Sequence, residues 1–163
     1  MQHWYCVHTK PRAEAQALEH LQRQGFECLL PRLQRTTLRN GRRHTGVEAL
    51  FPRYLFLRAD AEATSLAPVR STKGAVGLVR TAGLPATVPD EFIERLRADA
   101  DVDGLITLPE RRLIPGERVA ITDGPLAGLQ GIYTQAHGEQ RALVLLELLG
   151  GAHSVALPNY VLE

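Results

Sequence analysis

Aromatic side chains are scarce in this chain: one tryptophan, four tyrosines and four phenylalanines among 163 residues. Any place where rings gather therefore stands out. Cysteine is sparser still. Cys6 and Cys28 stand far apart with no C-x-x-C spacing, and no histidine pair has helical ligand spacing. Neither a disulfide framework nor a metal site is expected. No apolar run approaches the roughly 20 residues that cross a bilayer. The first residues bring neither a basic n-region nor an apolar h-region, so no signal peptide is expected and the chain reads as cytoplasmic. A Walker loop, a nucleophile elbow and a clustered Ser-His-Asp pattern are missing as well. The expectation is a protein that binds rather than catalyses, with no cofactor.

What is present is ordinary in bulk and uneven in detail. Apolar residues make up 44% and charged residues 23%, as in a typical globular protein. Residues 1–100 hold two lysines and 13 arginines against 10 carboxylates, a balance of +5, whereas residues 101–163 hold four arginines against eight, a balance of −4. A basic half beside an acidic half suggests a polyanion partner for the first and contact between the two. Random scatter of surface charge explains a difference of this size equally well.

Residues 3–9 alternate around Trp4, Tyr5, Cys6 and Val7 and read as a strand. Pro11 marks a helix start and Gly25 a helix end, with Ala13, Ala17, Leu18 and Leu21 forming one buried stripe between them. Residues 26–30 read as a second strand. Two polar arms then flank Asn40-Gly41, a favoured two-residue hairpin turn. Strands follow at 54–58 and 76–79. Pro89, Asp90 and Glu91 open a second helix with Phe92, Ile93 and Leu96 on one face. The pattern is α+β, a domain over 1–99. Residues 100–114 read as a linker, although Leu105 to Leu108 have the character of a segment held by one domain.

The remaining stretch, 115–163, carries turn signals at Asp123-Gly124-Pro125, His137-Gly138 and Gly150-Gly151, which read as a small β-barrel. One segment conflicts with that. Residues 140–149 are rich in Leu, Ala, Glu and Arg, all good helix formers, and are apolar at nearly every position. A strand buried on both faces and a helix with a wide apolar face both account for it.

The most telling run is Leu50-Phe51-Pro52-Arg53-Tyr54-Leu55-Phe56-Leu57. In a strand Tyr54 and Phe56 share one face while Leu55 and Leu57 share the other. The leucines suffice for a core, so the rings are expected to be exposed as a docking patch.

Together these motifs resemble the NusG family of transcription elongation factors, its specialised RfaH type in particular. The resemblance rests on Met1-Gln2-x-Trp4-Tyr5, His20-Leu21-x-Arg23-Gln24, Cys28, Leu50-Phe51-Pro52-x-Tyr54-Leu55-Phe56, Thr72-Lys73-Gly74 and Val88-Pro89. Pro115-Gly116-x-x-Val119 and Gly124-Pro125-x-x-Gly128-x-x-Gly131 are similar to the KOW motif at the family's C-terminus. Such a resemblance implies a monomeric bacterial factor, not membrane-bound, that suppresses pausing and termination. Its first domain would have an antiparallel-dominated sheet flanked by helices and would dock on the clamp helices of the polymerase's largest subunit through Phe51, Tyr54 and Phe56. The second, over 115–163, would be a helical hairpin covering that site or a five-stranded β-barrel. Released, it would contact a small-subunit ribosomal protein.

The resemblance also implies recruitment by the non-template DNA strand, read by Lys10, Gln16, His20, Arg23, Gln24, Thr72, Lys73 and Gly74. Arg and Gln suit base edges, and His suits an unpaired base. On the residues alone, these helix positions read equally as a solvated face. Arg32, Arg35, Arg39, Arg42 and Arg43 follow no acid until Glu48 and can track a phosphate backbone, or simply keep a hairpin soluble. Glu48 and Arg141 match an ion pair that locks the two domains. The chain departs from the RfaH pattern at His8, at Lys73 and at Ser65-Leu66-Ala67, where a second polymerase lobe would be met. A housekeeping NusG without sequence-specific recruitment is the nearest alternative, and a KOW-bearing ribosome or RNA-binding protein the more distant one.

Overall fold

A computed structural model describes residues 1–107, 125–135 and 137–150. In chain order its elements are β1 (His3–Thr9), α1 (Glu14–Arg23), β2 (Glu27–Leu29), β3 (Arg32–Arg39), β4 (Arg42–Ala49) and β5 (Tyr54–Ala59). A 3-10 helix (Ala67–Ser71) and β6 (Ala75–Leu78) come next. Then follow β7 (Arg80–Thr81), β8 (Leu84–Pro85), β9 (Thr87–Val88), α2 (Asp90–Asp99), β10 (Leu105–Thr107), α3 (Pro125–Tyr133) and α4 (Gly138–Gly150).

The central sheet runs β2-β5-β1-β6, with β9 also paired to β1, and every pairing in it is antiparallel. Strand alternation divides its side chains between two cores. Tyr5, Val7, Leu55 and Leu57 meet Ala17 and Leu21 of α1 on one face. Trp4, Cys6, Tyr54 and Phe56 join Phe92, Ile93 and Leu96 of α2 on the other. Helix α1 ends where Gly25 takes φ +91, a left-handed conformation that glycine adopts without strain. Arg97 of α2 lies 5.0 Å over the Trp4 ring and also pairs with Glu27, fixing α2 to the edge of the sheet.

Strands β3 and β4 form a long hairpin. Asn40 and Gly41 have φ of 52° and 75°, the two positive values that a type I′ turn demands, and Arg39 stands opposite Arg42. The base of this arm is tied in. There Leu33 is buried, and β10 pairs in parallel with residues 32–34. Strand β10 thus lies inside the span that the sequence reads as a linker. Ile106, 2% exposed, holds it to the first unit. Residues 108–114 lie outside the described residues.

Two expectations need correction. Tyr54 and Phe56, expected on an open face, are 1% and 0% exposed, and Phe51 is likewise buried. Phe51, Phe56 and Phe92 form a three-ring cluster with centroids 5.9–6.4 Å apart, so Phe56 belongs to the core against α2. Of the two states open to the C-terminal stretch, helical hairpin or β-barrel, 125–133 and 138–150 take the helical one, against the turn signals. They are helices whose Leu129, Ile132, Ala142, Leu145 and Leu146 enter the same apolar cluster. Burial against the rings outweighs the glycines, because tertiary packing dominates helix stability. Residues 115–124 and 151–163 of that stretch fall outside the described residues.

Phe56→Ala should lower the stability of the whole protein by about 3–5 kcal/mol, as expected for truncating a buried aromatic. Urea unfolding measures it; an unchanged midpoint would show that the ring cluster does not hold the sheet to α2.

Candidate functional site

The turn before β5 sets the position of the rings. Arg53 takes φ 73°, its backbone N–H donates to Glu14 Oε1 at 2.8 Å, and its Nε donates to the Thr9 carbonyl at 3.2 Å. Pro52 is thereby held between the arm and β5. Gly138 opens α4 directly on it: a Cβ there would lie 2.5 Å from Pro52 Cγ. Only a residue without a side chain lets α4 approach so closely.

Arg141, one turn further on, is 0% exposed. Its Nε donates to the Leu50 carbonyl at 2.8 Å and its Nη1 to the Gln135 carbonyl at 3.1 Å. Nη2 stands 3.6 Å from Glu48 Oε1, and the same oxygen lies 3.5 Å from Arg35 Nη1. Burial pushes the guanidinium below its usual range; Glu48 opposes that shift and Arg35 adds to it. Two further ties hold the helical pair. Tyr133 of α3 donates to Asp99 Oδ2 at 2.8 Å, and Thr81 donates to the Leu149 carbonyl at 3.3 Å. Asp99 also pairs with Arg95. Neither tie has a sequence signature, since each joins residues remote in the chain.

A second, polar surface forms where residues 72–74 press on the start of α1. Gly74 has φ +88, and a Cβ there would sit 3.1 Å from both the Ala13 carbonyl and the Ala17 amide. Its carbonyl accepts from the Lys10 N–H at 2.8 Å. The structure thus brings Lys10, Gln16, Lys73 and Gly74 together, with His20 and Arg23 further along α1. Gln24, also exposed, and the buried Thr72 are joined to each other beside them. The Gln24 amide donates to Thr72 Oγ1 at 2.8 Å and to the His20 carbonyl at 3.1 Å, while the Thr72 hydroxyl donates to the Pro68 carbonyl at 2.8 Å. Lys10, Gln16, Arg23 and Lys73 remain exposed, although Arg23 pairs with Glu19.

The arm adds Arg32, Arg35, Arg42 and Arg43, all exposed. Leu38 and Val47 are 73% and 55% exposed, and the register puts both on one face with Arg43. Leu66 and Ala67 line a cavity of about 510 Å³ with His8, Val69, Arg70, Leu78 and Arg80. Among the described residues no group of histidine, cysteine or carboxylate side chains is arranged to hold a metal ion. Nor is any helix there long and apolar enough to cross a membrane.

A family model described as "Transcription termination factor nusG" matches residues 2–97. The "Transcription termination/antitermination protein NusG" of Deinococcus radiodurans is 28% identical, the match covering 94% of this chain and 94% of that relative. Its namesake from Pseudomonas aeruginosa is 23% identical over 91% of this chain and 89% of the relative. That of Streptomyces coelicolor is 26% identical over 94% of this chain, with 60% of the longer relative matched. A solved structure titled "Domain interaction in Thermotoga maritima NusG" shares 25% identity over 57% of this chain and 54% of its own, with a TM-score of 0.39.

His8 stacks on Tyr54 with ring centroids 5.2 Å apart, and burial, then Arg53, push its imidazole down from 6.5 to about 4. The unfolded chain takes up this proton near pH 6.5 and the folded chain only near pH 4. Between those values the unfolded state binds more protons, so stability should fall as pH drops through this window and level off below it. His8→Phe should flatten that part of the profile, measured as urea midpoint against pH. Identical slopes for the two proteins would exclude a role for His8.

Proposed function

The chain belongs to the NusG family, and from that premise we propose that it is an RfaH-like transcription elongation factor whose helical tail masks its own polymerase-binding face. The observation that carries this reading is that Phe51 and Tyr54 are buried in one cluster with Leu129 and Ile132 of α3 and Leu145 and Leu146 of α4, with Arg141 bonded to the Leu50 carbonyl and facing Glu48. In this reading Phe51, Tyr54 and the adjoining edge of Phe56 meet the clamp helices of RNA polymerase once the tail leaves. Aromatic rings suit such an interface because they bury a large area at small entropic cost.

Lys10, Gln16, His20, Arg23 and Lys73 form the surface that reads an exposed non-template strand, with Gln24, Thr72 and Gly74 holding it in shape. Charged groups there fix phosphates, and His20 and Gln16 address bases. The arm arginines contribute a salt-dependent contact that is blind to sequence. Once freed, the tail takes a second packing, a KOW barrel, and meets the ribosome. Gly131 supports the second packing. It lies inside α3 with nothing within 4 Å of where its Cβ would be, so the helix bears the cost of a glycine that its packing does not use. That cost is about 1 kcal/mol relative to alanine.

A housekeeping NusG is the second reading, favoured by the names of the relatives and by their coverage of nearly the whole chain. It predicts a face open at all times and recruitment without sequence preference.

Glu48→Ser distinguishes the two. It leaves the Arg141 guanidinium buried beside Arg35 without its carboxylate, and should favour release by about 1–2 kcal/mol, a half-exposed partner being worth less than a buried one. Under the masked-face reading this variant binds polymerase about tenfold more tightly than the parent in the absence of a DNA signal, by the conversion of 1.4 kcal/mol per decade. Gly131→Ala should do the reverse. Equal affinities for all three proteins, together with equal recruitment to scrambled non-template sequences in footprints of paused complexes, would establish the housekeeping reading.

A further inference from the structure

One carboxylate oxygen, Glu48 Oε1, serves two cations on different parts of the protein: Arg35 of the arm at 3.5 Å and Arg141 of the tail at 3.6 Å. The register explains why Arg35 reaches it. Arg35 stands opposite Gly46, which has no side chain, and Leu33 stands opposite Glu48, so Arg35 and Glu48 share a face of the arm two positions apart. Among the described residues, docking the tail gives this one carboxylate a second cation. With the tail gone, Arg35 and Glu48 neutralise each other. Arg35 also acts against the charged form of Arg141.

We propose that this shared carboxylate couples the arm to the tail, so that a polyanion bound along the arm holds the tail down rather than releasing it. The inference rests on the reading of the arm as a phosphate-binding surface. A phosphate at Arg35 finds more positive potential when Arg141 is in place. By neutralising Arg35 it also removes the repulsion that Arg141 meets in its buried position. Linkage makes the effect reciprocal: docking the tail tightens the grip of the arm by the same factor that the polyanion tightens docking. Release of the tail is then left to whatever competes for Phe51 and Tyr54. DNA contact at the arm prepares the factor without opening it.

The coupling is tested on the full chain with a short DNA duplex of arbitrary sequence, at about 0.15 M ionic strength, where the Debye length is ~8 Å. Gly138→Val, which drives a side chain into Pro52, and Leu145→Ser, which removes a buried contact, both release the tail without changing charge. Slower amide exchange over residues 138–150 in the parent on adding duplex, read by mass spectrometry, is the first expected result. The second is duplex binding about threefold weaker in both release variants, a modest coupling free energy. The third is disappearance of that difference when Arg35→Gln is added to each protein. Salt-dependent binding that is equal or tighter in the release variants, or faster exchange at 138–150 with duplex, would overturn the coupling alone. Absence of any salt-dependent binding would overturn the arm reading and the coupling with it.

Discussion

Taking the Arg141 guanidinium out of water costs several kcal/mol, and the tail can dock only where that cost is offset. Among the described residues the offset comes from different places: the Leu50 carbonyl before β5, the Gln135 carbonyl between the two tail helices, and the Glu48 carboxylate on the arm. A misplaced register of α4 would leave the charge buried without them. Apolar contact alone, through Leu129, Ile132, Leu145 and Leu146, would tolerate sliding by a turn. The guanidinium is therefore the element that specifies one docked geometry, while burial of the rings supplies most of the driving force. Gly138 completes the constraint, since the chain must lie against Pro52 for Arg141 to reach Leu50.

The same cover changes what the aromatic run does. Phe56 is structural, locked edge-on against Phe51 and Phe92. Phe51 and Tyr54 share one buried cluster with Leu129, Ile132, Leu145 and Leu146 of the tail, and Tyr54 also stacks on His8. In the proposed reading, a face built this way would present rings to a partner without losing its own fold, because α2 would still hold its inner side.

Much of the first unit is legible from local pattern. The Asn40-Gly41 turn, the stripe of Ala17 and Leu21 closed by Gly25, and the Pro89-Asp90-Glu91 start of α2 each have a nearby physical cause and each forms where expected. Strand alternation also separates Leu55 and Leu57 from Tyr54 and Phe56 correctly. What it cannot supply is the identity of the cover on each face: exposure of the rings was inferred from sufficiency of the leucines, and α2 with the tail helices fills the other side instead. Gln24 and Thr72 illustrate the same gap at the polar surface. Their types suit base recognition, but their hydrogen bonds run to each other, to His20 and to Pro68, partners that no spacing along α1 reveals. Glu48 and Arg141 were paired by resemblance; the sharing of Glu48 with Arg35 depends on hairpin register, which only the folded arm makes visible.

The tail is where local and tertiary signals disagree, and the disagreement is physically informative. Turn residues at His137-Gly138 and Gly150-Gly151 bound a segment whose interior favours helix, and both glycines end up at the limits of α4, where a missing side chain costs little. Gly131 is different, for it stands within α3 and no described residue outside its own helix lies within 4 Å of where its Cβ would be. A sequence optimised for one docked helix would place alanine there, so this position weakens the helical state without a gain that the docked state displays. The rings and the buried guanidinium compensate for it only while the tail is in place. Under the proposed switch, a helix away from them would keep the penalty and lose its support, and the balance would turn toward the packing that the glycines and turn residues favour. Two packings separated by so few interactions are the condition under which competition for one aromatic face can move an entire domain.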